Sequence, residues 1–370
     1  SSAASDVYKR QLQQEAIRER TMTHRSIDRP RLDELLELIV AGDDRLVAPV
    51  RAGERLTFEP VTDIGRIERE YVNSTLPPKE YLLPRTEPVF RFSRNSGGIE
   101  VSECTADDRT TVLFGVRPCD AAGIDRMERV FGDELRDGLF LDRRERTTVV
   151  AVACTRPGPS CFCPAVGCGP TSQQGADVLL TEVEPDVFLV ETITDSGGAL
   201  VDRFAGLLQE ADDSMVRAAL EVAETAEAAL TRSMDLTGVG ARLREAFADP
   251  CWQAIGRGCL GCGACAYSCP SCHCFDLIDD GGPSSGSRIR LWDCCAFPTF
   301  TVHASSHNPR PDQPTRYRQR VLHKLSYFPD RFGVPMCVGC GRCGLLCPVG
   351  QDLYESAAGS VNGVHLVRGD

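Results

Sequence analysis

The sequence predicts a multidomain α+β protein, with an N-terminal α/β domain over residues 30–200, a helical linker over 201–249 and a cysteine-rich domain over 250–361. Three observations predict it. Apolar strand-like runs alternate with helical spacing in the first part, which favours an α/β arrangement. Residues 201–234 are rich in Ala, Leu and Glu and contain no proline, the composition of packing or linker helices. Cysteines then repeat at a fixed spacing towards the C-terminus.

Along the chain, LDELLELIVAG (32–42) has apolar residues at helical spacing and ends on Gly42, a C-cap signal. RLTFEPV (55–61) reads as a short strand. LPPKEYLLPRTEPVFRF (76–92) carries four prolines, so it is extended until a short alternating run at its end. TTVLFGVRPCD (110–120) and TTVVAVAC (147–154) are apolar runs of the kind expected for strands covered on both faces, and VFLVET (187–192) is a third. AAGIDRMERVF, after the first of these, has helical spacing. The two longer runs end on Cys119 and Cys154. Residues 1–29 are expected to be poorly ordered; SSAASDVYKRQ (1–11) resembles translated adapter sequence and carries no weight here. Residues 362–370 form a tail.

Composition narrows the function. A formal net charge of −12 argues against nucleic acid or an anionic membrane as the main partner. No stretch approaches the roughly 18 uninterrupted apolar residues of a membrane helix. No signal-peptide core is present, so the cytoplasm is the expected compartment. In a reducing compartment 19 cysteines point to metal or redox chemistry rather than disulfides. GVGARL (238–243) lacks the third glycine of a dinucleotide loop and follows no strand. No Walker A, H-E-x-x-H or G-x-S-x-G motif occurs, and no residue is assigned a catalytic role.

The chemistry lies in a repeat. GCLGCGACAYSCP (258–270) and MCVGCGRCGLLCP (336–348) are both C-x2-C-x2-C-x3-C-P. Three thiolates three residues apart on a glycine-bearing loop each reach a different iron of one [4Fe–4S] cubane, and the fourth cysteine is aimed at the other cluster. One cluster is therefore expected on Cys259, Cys262, Cys265 and Cys347, and a second on Cys337, Cys340, Cys343 and Cys269. Zinc is the competing reading, but a zinc site needs four ligands in two pairs and leaves the third and fourth cysteines of each motif unexplained. The 67 residues between Cys269 and Cys337 are too many for a compact two-cluster ferredoxin. With the basic amphipathic stretch YRQRVLHKLSYF (317–328), they favour an α-helical-ferredoxin-like domain.

Eleven cysteines remain. Cys119, Cys154, Cys161 and Cys163, with Cys168 close behind, fall where loops leave the carboxyl ends of predicted strands, a common ligand position. They make a candidate third iron–sulfur site, against the alternative of ordinary buried thiols. Cys272, Cys274, Cys294 and Cys295 flank the first motif and either line a cluster or mark a docking surface. His273, His303, His307 and His323 are read as structural hydrogen-bonders. The basic run NPRPDQPTRYRQRVLHK (308–324) is either a docking patch or a solvated face.

The segments GCLGCGACAYSCPSCHCFD, RIRLWDCCAFPTFTVHASSHNPR, RYRQRVLHKLSYF and CVGCGRCGLLCPV resemble the beta subunit of cytoplasmic [NiFe] sulfhydrogenases. They are also similar to the electron-transfer subunit of anaerobic sulfite reductase. Upstream, LPPKEYLLPRTEPVF, FGVRPCDAAGIDRMERVF and the CFC segment fit the same pattern, so the resemblance runs from about residue 45. It departs at the Cys294–Cys295 pair of WDCCAF, where the family has serine–cysteine, and at Ser306, where it has glycine. The resemblance implies a non-catalytic electron-transfer subunit in a hetero-oligomer. Its partners would be a flavin subunit that handles NAD(P)H and a hydrogenase or sulfite reductase catalytic subunit. A zinc-stabilised interaction module, and an enzyme with flavin on the N-terminal domain, are the readings from other classes.

Overall fold

The computed structural model describes residues 24–358; the adapter-like segment 1–11 and the tail 362–370 lie outside them. Strand β1 (Arg25–Asp28) runs straight into helix α1 (Arg29–Ala41), where Asp28 accepts a hydrogen bond from the Arg31 N–H and Pro30 occupies the first turn. The expectation of a poorly ordered stretch up to residue 29 is therefore corrected for 25–29. Its apolar Ile27 is buried because β1 pairs with the strand over Val187–Thr192.

A hairpin of β2 (Arg45–Ala52) and β3 (Arg55–Pro60) follows, then a second of β4 (Thr86–Asn95) and β5 (Gly98–Glu103). Strand β6 (Thr111–Val116) feeds α2 (Pro118–Phe131), whose Pro118 suits the first helical position. After α3 (Gly138–Glu145) come β7 (Thr147–Val152), β8 (Val178–Glu184) and β9 (Val187–Thr192).

All of these strands except β4 and β5 join β10 (Gln209–Glu210) in one mixed eight-stranded sheet, in the order β10-β1-β9-β8-β7-β6-β2-β3. Its centre, β8-β7-β6-β2, is parallel. Alternation sorts the centre onto two faces. Val47, Leu113, Val149 and Ala151 meet Ile124, Met127 and Phe131 of α2 on one side. Leu46, Ala48, Val112, Phe114 and Val150 meet Leu32, Leu36 and Ile39 of α1 on the other.

The expected helical linker over 201–249 is broken. It comprises the end of α4 (Asp195–Arg203), the edge strand β10 (Gln209–Glu210), α5 (Asp213–Ala228) and α6 (Val239–Glu245). Residues 209–210 add to the sheet beside β1 instead of continuing a helix.

In the cysteine-rich part, α7 (Cys251–Gly256) precedes the first motif, whose one-turn helix is α8 (Ala264–Tyr267). The spacer is not wholly helical. It opens with a hairpin of β11 (Phe275–Gly281) and β12 (Ser285–Trp292), and β12 pairs with β4 from the N-terminal part. The resulting small sheet, β11-β12-β4-β5, draws strands from both sides of residue 250. Arg290 on β12 reaches Glu87 on β4 and Asp137, and the Trp292 Nε1–H donates to the Leu83 carbonyl at 2.9 Å.

The rest of the spacer is α9 (Gln313–Leu322), a π-helical turn (His323–Tyr327) and α10 (Phe328–Phe332). The second motif carries α11 (Arg342–Leu345), and α12 (Leu353–Ala358) closes the described chain. Among the described residues no helix is long and apolar enough to cross a membrane.

One buried fork ties the second motif to the α/β part. Arg342, 1% exposed, gives two 2.7 Å hydrogen bonds to the fully buried Asp120 carboxylate at the start of α2. It also donates to the Ser74 carbonyl at 2.8 Å and the Ser74 hydroxyl at 3.1 Å. Removing one partner of a buried pair costs about 3–5 kcal/mol, whereas replacing both by apolar groups costs far less. Asp120→Ala should therefore lower the denaturation midpoint sharply, and an Asp120→Leu/Arg342→Leu double variant should recover much of that loss. Anaerobic denaturant titration measures both.

Candidate metal centre

The two motif loops share one backbone course. Gly261 and Gly263 have φ of +67° and +79°, and Gly339 and Gly341 have +68° and +70°, the left-handed region that favours glycine. Each second glycine sits at the start of its one-turn helix, and α8 and α11 pack on each other. That packing carries the end of one motif to the beginning of the other. Cys259, Cys262, Cys265 and Cys347 line a single cavity, with Cys343 also in its wall. The Gln313 amide N–H donates to Cys259 Sγ at 3.1 Å, and the Gly339 N–H lies 3.4 Å from Cys337 Sγ.

Cys337 and Cys340 are buried, and Cys343 and Cys269 stand within electrostatic reach of both. Burial pushes the Cys265 thiol up to about 11 and the Cys340 thiol up to about 12. Such thiols surrender a proton readily only to a metal. Sulfurs that each take a different iron of a cubane stand farther apart than four ligands around one zinc ion. Among the described residues, no three His, Cys, Asp or Glu side chains are close enough to share a single metal ion.

The electrostatics come from Lys79, and from Arg320 and Lys324 of the basic run that the sequence reading took for a docking patch or a solvated face. Lys79, Arg320 and Lys324 are 3%, 4% and 2% exposed, yet none has a carboxylate within ion-pair distance among the described residues. Lys324 Nζ donates to Cys269 Sγ and to Ser271 Oγ, both at 3.2 Å. Arg320 donates to Cys272 Sγ at 3.6 Å and to the Cys265 carbonyl at 3.2 Å. Lys79 donates to the carbonyls of Ala266 and Cys272 and lies 4.4 Å from the Trp292 ring centre.

Burial works against the Lys324 ammonium, but the Cys269 and Cys272 sulfurs outweigh it and hold its pKa above the ordinary lysine value. The Cys269 thiol is held well below its usual value by a hydrogen bond with Cys272, with Lys324, Arg320 and Lys79 adding to the effect. Buried cations without carboxylates suit an anionic guest, and a thiolate-ligated iron–sulfur cluster is one.

Arg316 and Arg320 are spaced by four on α9, and Lys324 follows four residues later in the π-helical turn that continues it, so the one helical run carries all three inward. All three are buried, and Arg318 stacks on Phe247 at 3.8 Å. The basic run is thus neither a plain docking patch nor a solvated face. The spacing was the available signal; what hid it is that buried lysines and arginines are rare.

The flanking cysteines are placed as follows. Cys272 and Cys294 are buried against Cys269 in one apolar cluster with Phe328 and Met336, and the Cys274 and Cys295 thiols hydrogen-bond each other. Burial pulls His273 and His323 down to about 4 and about 3, so both are neutral; they stack edge to face at 5.8 Å. His273 Nδ1 pairs with the Ser271 carbonyl at 3.0 Å, and the His303 backbone N–H donates to the His307 carbonyl at 2.8 Å.

Comparison with known proteins now decides the family. Residues 258–351 match the family described as a 4Fe-4S dicluster domain. Over 305 residues the chain is 32% identical to sulfhydrogenase 2 subunit beta of Pyrococcus furiosus, spanning 82% of this chain and 88% of that one. The chain belongs to the sulfhydrogenase beta-subunit family. It is an iron–sulfur protein, as the motifs and the resemblance led one to expect. A chain of the F420-reducing [NiFe] hydrogenase complex from Methanosarcina barkeri aligns over 60% of this chain and 93% of its own, at 11% identity and a TM-score of 0.35, too low to mark a shared fold.

A cluster bound through Cys269 would lie beside the Lys324 charge. A positive charge about 4 Å away is worth about 4 kcal/mol at an effective dielectric near 20, and it favours the reduced, more negative state. Lys324→Met should therefore lower the midpoint potential of at least one cluster, by up to about 170 mV for a one-electron couple. Redox titration followed by electron paramagnetic resonance measures the shift, and an unchanged pair of potentials would contradict it.

Proposed function

We propose that this chain is the electron-relay subunit of a cytoplasmic [NiFe] hydrogenase-type complex. It would carry electrons between a flavin subunit that handles NAD(P)H and the nickel–iron catalytic subunit. In this reading Cys259, Cys262, Cys265 and Cys347 hold one [4Fe–4S] cluster, and Cys337, Cys340, Cys343 and Cys269 hold the other. The observation that carries the reading is the cavity in which three cysteines of the first motif meet the last cysteine of the second. The clusters supply one-electron redox chemistry. The chain's own residues hold the irons, exclude water and set the potential through Lys324, Arg320, Lys79 and backbone N–H donors.

A relay needs an entry and an exit. Leu260 and Val349 on the rim of that cavity are 66% and 46% exposed. Cys262 is the exposed one among the eight motif cysteines. An apolar rim around a surface redox centre suits docking to a protein partner, here the hydrogenase catalytic subunit.

Anaerobic purification should yield a brown protein with a broad band near 400 nm that bleaches in air. A colourless protein holding zinc would refute the reading. Cys347→Ser should perturb the cluster bound by Cys259, Cys262 and Cys265 and spare the one bound mainly by its own motif. Spectra showing the reverse would sink the crossed ligand sets. Isolation of the tagged chain from its native cell should bring down a nickel-containing protein; a sirohaem-containing one would place it in sulfite reduction instead.

A further inference from the structure

Beyond the eight motif cysteines, a second set of thiols gathers at the carboxyl ends of two parallel strands of the α/β part. Strands β6 and β7 are parallel neighbours, and each delivers a cysteine just past its carboxyl end. Cys119 lies in the first turn of α2, and Cys154 lies two residues beyond β7. The loop after Cys154 turns back at Gly158, whose carbonyl accepts from the Cys161 N–H at 3.0 Å, and then presents Cys163.

Cys161 and Cys163 are buried. Cys163 lies within electrostatic reach of Cys161, Cys154 and Cys119. The Asn73 amide stands between two of the thiols: Cys119 Sγ donates to Asn73 Oδ1 at 3.7 Å, and Asn73 Nδ2 lies 3.9 Å from Cys161 Sγ. Arg117 faces Cys154, and Arg342 faces both Cys119 and Cys161.

Cys168, near in sequence, is drawn off. Its sulfur lies 3.7 Å from Arg126 Nη2 and 3.8 Å from Gln174 Oε1. This loop is also sealed to the second motif. The Phe162 N–H donates to the Gly339 carbonyl at 2.8 Å, and Asn73 Nδ2 donates to the Cys340 carbonyl at 3.0 Å. A Cβ on Gly339 would collide with the Cys163 backbone, and one on Gly341 with Ser160.

We infer that Cys119, Cys154, Cys161 and Cys163 hold a third iron–sulfur cluster, placed beside the second motif at the far end of the chain's redox path from the exposed rim of the first. Four thiols on three separate segments match the way a cubane takes one ligand per iron. The cavity lined by Cys154, Arg117 and Tyr71, about 440 Å³, opens at this end. Electrons would then enter or leave at two surfaces, the apolar rim at one end and this cavity, lined by arginines and carboxylates alike, at the other. The inference rests on the reading of the chain as an iron–sulfur carrier, and the following test separates the two.

Full-length protein, purified and reconstituted anaerobically with iron and sulfide, should bind about 12 irons and about 12 acid-labile sulfides per chain, where two cubanes give about 8 of each. The Cys161→Ser/Cys163→Ser variant should lose about 4 irons and one electron paramagnetic resonance component after dithionite reduction. Cys168→Ser should lose none. A wild-type count that stays near 8, or a double variant that matches the wild type, overturns the third cluster and leaves the two-cluster relay standing. A wild type without iron overturns both. Should the double variant misfold, the wild-type count decides alone.

Discussion

Three buried cations without carboxylates are the constraint around which the cysteine-rich part is built. Lys79 comes from the N-terminal part, and Arg320 and Lys324 from the long helix of the spacer; all converge on the end of the first motif. Each is kept from water, so each costs several kcal/mol unless something negative lies within reach. Carbonyls and sulfurs are what the fold supplies. The π-helical turn at His323–Tyr327 matters here, because a widened turn re-aims the side chains that it carries, and Lys324 is one of them. The hairpin β11–β12 contributes Trp292 as a lid over the Lys79 ammonium.

The same logic explains why the molecule does not divide at residue 250. The second motif's loop has no room of its own: its glycines press on Ser160 and Cys163, and its arginine is buried in Asp120 and Ser74. Strand β12 completes a sheet begun by β4 and β5. The α/β part thus acts as a mould for the cysteine loops, and the loops in turn cover the carboxyl ends of its parallel strands. Neither surface is finished without the other.

Much of this was legible in the residues. The strands over 111–116, 147–152 and 187–192 and the helices over 29–41 and 118–131 follow from apolar spacing and from Pro and Gly at their ends. The two motifs announce their chemistry through spacing alone. What stayed hidden depends on distant partners. Residues 275–292 carry no strong strand signal, because one flank is exposed and acidic; pairing with β4 makes the hairpin. Residues 209–210 look helical until β1 offers a free edge. The inward turn of Arg320 and Lys324 defies the usual expectation for charged residues, and their spacing of four reads as well for a surface stripe. The inter-motif cavity was legible only as a rule about fourth cysteines, with nothing in the composition to position it.

The exposure of Cys262 has a consequence for the life of the protein. Its loop is the part of the eight-cysteine set that faces solvent, flanked by Leu260 at the surface, while Cys337 and Cys340 lie inside. Dissolved oxygen, or a scavenging chelator, meets this loop first. Damage would begin at one end and leave the interior intact, so that a chain caught alone ages from its rim inward. On the proposed reading, a partner seated on the rim would close that door, so that assembly itself would be a form of chemical protection and would set the order in which an orphaned chain loses its iron.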